Sequence, residues 1–340
     1  MNAKKLIIPF IILIVLVMYL VYLTQSNGVS DQPYSDFEIA DTASVAKITI
    51  TRTTGETITL DRNNDAKLWM IEGTDYEANK PSLDLILKTF TQWKVMQDVE
   101  PKKLDFTVRL LATKHTKIQV YNKGDNKPFK TIYIGDHNPS MTGNYALLQK
   151  GNKKSSVPYL INMPGFYGTL ETRFFANKNG WRSTRIIELE SREVKAVSLK
   201  NYRELNESYS FSVEGDVFKM VDGQNKNVAL FDTLALRRHL VSFGQLYSEN
   251  FVTSMTAAQQ DSLINTTPLY ELSVTDSNNK TKNIVVYCKK PDSERYAPDG
   301  SVLPCDPERL YALVDKKDLV VIQTFGWGNV FKPLSYFTEP

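Results

Sequence analysis

The sequence predicts an α+β protein: an N-terminal transmembrane helix followed by two tandem copies of an antiparallel-sheet-plus-helix module. Three observations carry this. An unbroken apolar run opens the chain, short period-two runs fill the rest, and the order of those runs returns about 150 residues later.

From Leu6 to Leu23 every residue is apolar, Tyr or Pro: LIIPFIILIVLVMYLVYL. At helical rise the run is about 27 Å long, close to the hydrocarbon thickness of a bilayer. Pro9 sits near the helix start, where a missing N–H costs least. Tyr19 and Tyr22 lie at the far end, where an aromatic belt belongs. Lys4 and Lys5 flank the near side, whereas residues 24–41 carry Asp31, Asp36, Glu38 and Asp41 and no Lys or Arg. Positive flanks stay in the cytoplasm. The expectation is a cytoplasmic tail (1–5), an anchor in the cytoplasmic (inner) membrane (6–23), a polar tether (24–41) and a periplasmic body. The exit TQSNG lacks a small-x-small cleavage site, which favours an uncleaved anchor over a signal peptide.

In the body, SVAKITITR alternates as a half-buried strand, and GETITLDR and KLWMIEG continue a meander. Pro81 opens a helix to about Trp93 whose apolar stripe is Leu83, Ile86, Leu87, Phe90 and Trp93. A short helix is expected near Lys103 to Ala112. Strands then resume at TKIQVYN, KTIYIGD, NYALLQK and VPYLINM, and PGFYGTLETRFF closes a first copy, 42–182.

The same order recurs over 183–340. Val45, Ile48 and Ile50 fall on Val194, Val197 and Leu199 at an offset of 149, as Trp69 does on Phe218. Asp232 is a good N-cap for a helix whose Leu236, Leu240, Phe243 and Leu246 match Leu83, Leu87, Phe90 and Trp93 at an offset of 153. NYALLQK resembles LYALVDK, and GFYGTLETRFF resembles FGWGNVFKPLSYF. The largest length difference is an insertion carrying the two cysteines, Cys288 and Cys305. In an oxidising compartment they could close a loop as a disulfide; two unrelated buried thiols are the alternative.

Chemistry is harder to find. Without Lys4 and Lys5, 39 basic side chains face 38 acidic ones, which gives no footprint for nucleic acid. His115, His137 and His239 stand in no metal-ligand spacing, and no nucleophile elbow, phosphate loop or dinucleotide fingerprint occurs. His137 in GDHNPSMTGNY lies in a turn-rich loop beside Asp136, and adjacency in sequence rarely makes a catalytic pair. His239 reads as structural. No catalytic residue, cofactor or metal is expected. Aromatics cluster at the end of each copy and read mainly as core. The sharper reading is a partner surface of Phe166, Tyr167, Trp181, Trp327 and Tyr336, with Arg173 and Arg182 at its rim.

Several motifs resemble the domain of unknown function 4340 family in the form common in Bacteroidota. They are D-F-x-I-x-D-T (Asp36 to Thr42), TGNYALL, MPGFYGTLETRFF with Trp181-Arg182 shortly after, and DPERLYALV with the closing LSYF. The resemblance implies an inner-membrane anchor and a periplasmic body. Relatives are often encoded beside auxiliary subunits of gliding-type ABC transporters, which implies an accessory role in an envelope complex. It carries over no catalytic residue, and the Cys288 to Cys305 insertion departs from its pattern.

The expectation is a non-enzymatic interaction subunit of envelope machinery, with a protein partner there. A glycan or peptidoglycan binder is the alternative; an envelope hydrolase with an unmarked carboxylate pair comes third.

Overall fold

The structure, a computed structural model, describes residues 35–63, 68–215 and 217–338. The expected anchor, Leu6–Leu23, lies outside the described residues. Among those described, no helix is long and apolar enough to cross a membrane. The chain divides between Arg182 and Ser183 into two compact units, each built of antiparallel sheet and helices.

The first unit holds strands β1 (Val45–Arg52), β2 (Thr57–Asn63), β3 (Leu68–Ile71), β4 (Lys94–Asp98), β5 (Thr116–Asn122), β6 (Lys130–His137), β7 (Asn144–Lys150), β8 (Lys153–Lys154) and β9 (Tyr159–Asn162). Its helices are α1 (Lys80–Gln92), α2 (Pro101–Thr113) and the short α3 (Lys178–Trp181). The sheet runs β3-β2-β1-β5-β6-β7-β9-β4, with β8 beside β7. Alternation decides its faces. Ile48 and Ile50 of β1 point into the core, while Thr49 and Thr51 face outward and hydrogen-bond to Thr59 and Thr57. Helix α1 starts at Asn79, whose side chain accepts from the Ser82 N–H at 3.0 Å, and buries Leu83, Ile86 and Phe90.

The tether expected over 24–41 needs correction at its end. Phe37 and Ile39 are buried in the first core. Trp93 Nε1–H donates to the Phe37 carbonyl at 2.7 Å, and the Ile39 N–H donates to the Phe90 carbonyl at 2.8 Å. Lys130, nearly buried, donates through Nζ to the carbonyls of Asp36 (2.9 Å) and Glu38 (2.5 Å). Burial pushes the Lys130 ammonium below its usual pKa, and the Asp36 charge opposes that. The D-F-x-I motif is thus a docked extra segment of the unit, with Phe37 and Ile39 as its apolar pegs.

The second unit holds β10 (Arg185–Ile187), β11 (Val194–Asn201), β12 (Tyr209–Glu214), β13 (Val217–Asp222), β14 (Leu246–Tyr247), β15 (Asn250–Phe251), β16 (Tyr270–Asp276), β17 (Thr281–Cys288), β18 (Arg309–Val314) and β19 (Asp318–Gln323). Helices α4 (Thr233–Val241), α5 (Ala257–Ile264), α6 (Thr324–Trp327) and α7 (Ser335–Thr338) complete it. Its large sheet runs β13-β12-β11-β16-β17-β18-β19-β15. That is the path of the first sheet, strand for strand. Details agree as well. The β1–β5 register shifts between Val45 and Lys47, and the β11–β16 register shifts between Val194 and Ala196. Asn79 and Asp232 cap the corresponding helices. The Asn79 N–H donates to the Trp181 carbonyl as the Asp232 N–H does to that of Phe337, both at 2.7 Å.

Cys288 and Cys305 form a disulfide with Cα atoms 5.2 Å apart. It closes the insertion between β17 and β18. Inside that loop Tyr296 and Val302 pair as a bridge, so the insertion is a stapled finger.

Candidate functional site

The aromatic residues expected to form a partner surface separate. Trp181 and Trp327 belong to the two cores. Trp181 stacks on Phe175 at 4.6 Å and its indole N–H donates to the Phe175 carbonyl; Trp327 donates to the Tyr247 carbonyl at 2.9 Å. Arg182 is buried too, 3.8 Å over the Tyr76 ring. Arg173 donates to Thr89 Oγ1 at 2.7 Å and lies 4.2 Å over the half-buried Phe166 ring; burial pushes its pKa down. Only Tyr167 (87% exposed) and, partly, Tyr336 (38%) face solvent. The surface reading of Trp181, Arg182 and Trp327 is therefore corrected. An indole N–H needs an acceptor when buried, and here the backbone supplies it.

The structure builds a different site, from a strand irregularity. Along β6 and β7, Ile134 pairs with Ala146, but the next pair is His137 with Asn144. Gly135 and Asp136 together therefore face Tyr145, which is a β-bulge. Bulges bend a strand and re-aim its side chains. The second sheet has no such shift here: Val286, Tyr287 and Cys288 pair regularly with Ala312, Tyr311 and Leu310. Where the second unit has Tyr287, the first has Gly135.

The exchange changes what covers the outer face. In the second unit Tyr287, Leu313 and Leu319 form a small apolar cluster with Met255, Leu263 and Ile264 around α5. In the first, a Cβ on Gly135 would lie 2.7 Å from Leu111 Cδ2, so the glycine gives the Leu111 side chain of α2 the room it fills against the strand. Helix α2 then buries only Thr107 and Leu111, and leaves Phe106 66% exposed. Beside it opens a cavity of about 630 Å³. Its apolar wall is Phe106, Leu110, Pro139 and Tyr145; its polar rim is Lys102, Lys103, Lys114, Asp136 and His137.

The rim is held in defined states. Lys114 Nζ lies 2.8 Å from Asp136 Oδ1, and that bond raises the Lys114 pKa. Lys103 pairs with Glu100 at 3.1 Å. His137 Nδ1 is 2.8 Å from the Asn138 carbonyl, which can only accept. Nδ1 therefore carries the proton when the ring is neutral, and Nε2 offers a lone pair.

Behind the cleft, the TGNYALL and PGFYGTLETRFF motifs fix the backbone that carries Tyr145. Asn138 Oδ1 accepts from the N–H groups of Thr142 and Gly143 and fixes the loop before β7. A Cβ on Gly143 would lie 2.7 Å from the Ile161 carbonyl oxygen. Asn144, fully buried, donates to the Gly135 carbonyl (2.9 Å) and Thr169 Oγ1 (3.1 Å), and accepts from the Leu170 N–H (2.8 Å). It joins the bulge to the closing loop. Asn144→Ala leaves those groups unpaired and is expected to lower stability by about 2 kcal/mol in urea denaturation.

A second cavity, of about 620 Å³, lies along β11 and β12 in the second unit. Ser198, Ser208 and Ser210 line it with Lys200 and Asp222, one cation against one carboxylate, so it lacks the lysine excess of the first. Among the described residues no group of three or more His, Cys, Asp or Glu could hold a metal ion.

Sequence reasoning noticed His137 and Asp136 but not Lys102, Lys103, Phe106 or Lys114. One signal was available: a glycine inside the strand KTIYIGDH, which often marks a bulge.

No curated protein and no solved structure matches the chain. A family model described as Domain of unknown function (DUF4340) matches residues 69–266, more than half of the chain and all of the cleft. On that match the chain belongs to the DUF4340 family.

Proposed function

We propose that the chain is a membrane-anchored, extracytoplasmic accessory subunit of cell-envelope machinery, and that the α2 cleft is where it meets its ligand or partner. The observation that carries the contact role is the contrast between the units. Two sheets of the same path differ where a bulge replaces Tyr287 by Gly135: the first leaves an open cleft with an exposed phenylalanine where the second carries the Tyr287 cluster. Covering a phenylalanine gains about 1.5–3 kcal/mol, so Phe106 is a ready contact. The periplasmic placement is supported by Leu6–Leu23 with its lysine flank and by the Cys288–Cys305 disulfide, since such bonds persist in oxidising compartments. The matching strand order supports descent of the body from one duplicated module. Anchoring raises the effective concentration of the cleft at the membrane, so weak contacts suffice. The glycan-surface reading loses its aromatic platform with Trp181 and Trp327 in the cores.

The test is a photo-crosslinking residue at position 106 of the full chain in its native membrane. A reproducible adduct is expected, with the body digested only by protease added from outside the cytoplasmic membrane. No reproducible adduct sinks the contact role; digestion only from the cytosolic side sinks the placement.

A further inference from the structure

We infer that the α2 cleft takes a small water-borne anionic amphiphile: one phosphate or carboxylate on an apolar body. The inference rests on reading the cleft as the contact site and adds the chemistry of what enters it. Size comes first. About 630 Å³ lies within the usual range for small-molecule sites. The apolar body is matched by Phe106, Leu110, Pro139 and Tyr145 along one wall.

Charge comes next. Three lysines and one carboxylate line the opening. Among the described residues Lys102 has no acidic partner. The Lys103–Glu100 pair is exposed on both sides, with 58% and 59% of the side chains accessible, so it holds its lysine weakly and can yield it to an incoming anion. Both lysines sit in the first turn of α2. That turn has no acidic residue, and its N-cap, Glu100, makes no side-chain hydrogen bond to it. The positive end of the helix dipole adds to the same field, although the Lys103 N–H is already taken by the Glu100 carbonyl at 2.8 Å.

A neutral ligand would leave this field unused, and a cation would oppose it. A large polar anion would leave Phe106 wet. The source is taken to be the aqueous side. Lys130, at the start of β6, holds Asp36, whereas the cleft lies at the other end of that strand. At strand rise the two are about 23 Å apart.

The experiment uses the full chain in nanodiscs of zwitterionic lipid, with 1-naphthyl phosphate as the probe, read by its fluorescence against empty nanodiscs. Saturable binding at one site per chain is expected. Inorganic phosphate, 1-naphthol and 1-naphthylmethylamine are each expected to bind at least tenfold more weakly. Lys102→Glu and Phe106→Ser, both at exposed positions that leave the fold intact, should each weaken binding roughly tenfold. Equal binding of naphthol, or affinity unchanged in both variants, overturns the inference. Displacement of the probe by phosphatidylglycerol in the disc overturns the aqueous source. If the probe fails to bind while the position-106 adduct persists, this inference falls and the contact site stands. If the adduct alone is lost, the proposed protein contact falls and the ligand site stands.

Discussion

Trp93→Ala is expected to lower the stability of the first unit by about 3–5 kcal/mol, the cost typical of removing a large buried aromatic. Trp93 is fully buried in the first core. Its ring lies 5.4 Å from Phe90, 5.7 Å from Phe174 and 6.4 Å from Phe37. Its indole N–H also holds the carbonyl of Phe37, so the substitution loosens the docked N-terminal segment as well. Urea denaturation of the full chain, followed by far-ultraviolet circular dichroism, measures the loss. Trp93→Phe separates the two contributions. It keeps most of the apolar contact and leaves the Phe37 acceptor unpaired, at about 1–3 kcal/mol. A Trp93→Ala loss below that of Trp93→Phe would contradict the assignment.

Acidification is expected to weaken the second unit through His239, by about 2 kcal/mol between pH 7 and pH 5 and about 3 kcal/mol by pH 4. The ring is buried among Tyr209, Phe211, Phe243 and Phe337. Nδ1–H donates to the Asn329 carbonyl and Nε2 accepts from the Tyr209 hydroxyl, both at 3.1 Å. Burial lowers the pKa from 6.5 to about 4; the Asn329 carbonyl pulls upward and the Lys332 charge pushes downward. Below the unfolded pKa the unfolded chain binds a proton that the native ring refuses. Stability is therefore full above about pH 6.5 and falls as pH drops toward 4. The carboxylate of Asp36 contributes in a lower window. Burial would raise its pKa, but Lys150 and Lys130 outweigh that and lower it. Its contribution is present above its ordinary value and lost only as pH falls below it. His239→Gln keeps polar groups near Asn329 and Tyr209 and removes the titration. Its stability should be lower at pH 7 and flat from pH 7 to pH 5; an unchanged slope would exclude His239 as the source.

Most of the strand and helix pattern was legible because alternation and the three-four stripe report directly which side chains face a core. The stripe Leu83, Ile86, Phe90 became the buried face of α1, and Asp232 became the cap of α4. The fate of the terminal aromatics was not legible. Trp181 and Tyr167 read alike in sequence, but one ends in the first core and the other in solvent. Their difference depends on which backbone carbonyl lies within reach of an indole N–H, and that is a property of the closed chain. Phe37 and Ile39 were hidden for a related reason: two apolar residues in an acidic stretch have no period, and only the groove beside Trp93 gives them a place.

By itself the sequence determined the alternating strands, the helix stripes and caps, the matched order of the two halves and the pairing partners available to two cysteines. The strands, stripes and caps are local properties, set by backbone period and side-chain type within a dozen residues, and the match between halves is that local pattern read twice. Only the tertiary structure decided that Gly135 forms a bulge, that α2 rests on it, and that lysines from a helix meet Asp136 and His137 from a strand around one cleft. Those groups are separated along the chain and are brought together by sheet register; the glycine in KTIYIGDH hints locally at a bulge, but which strand pairs with it and which helix lands on it are set by distant residues.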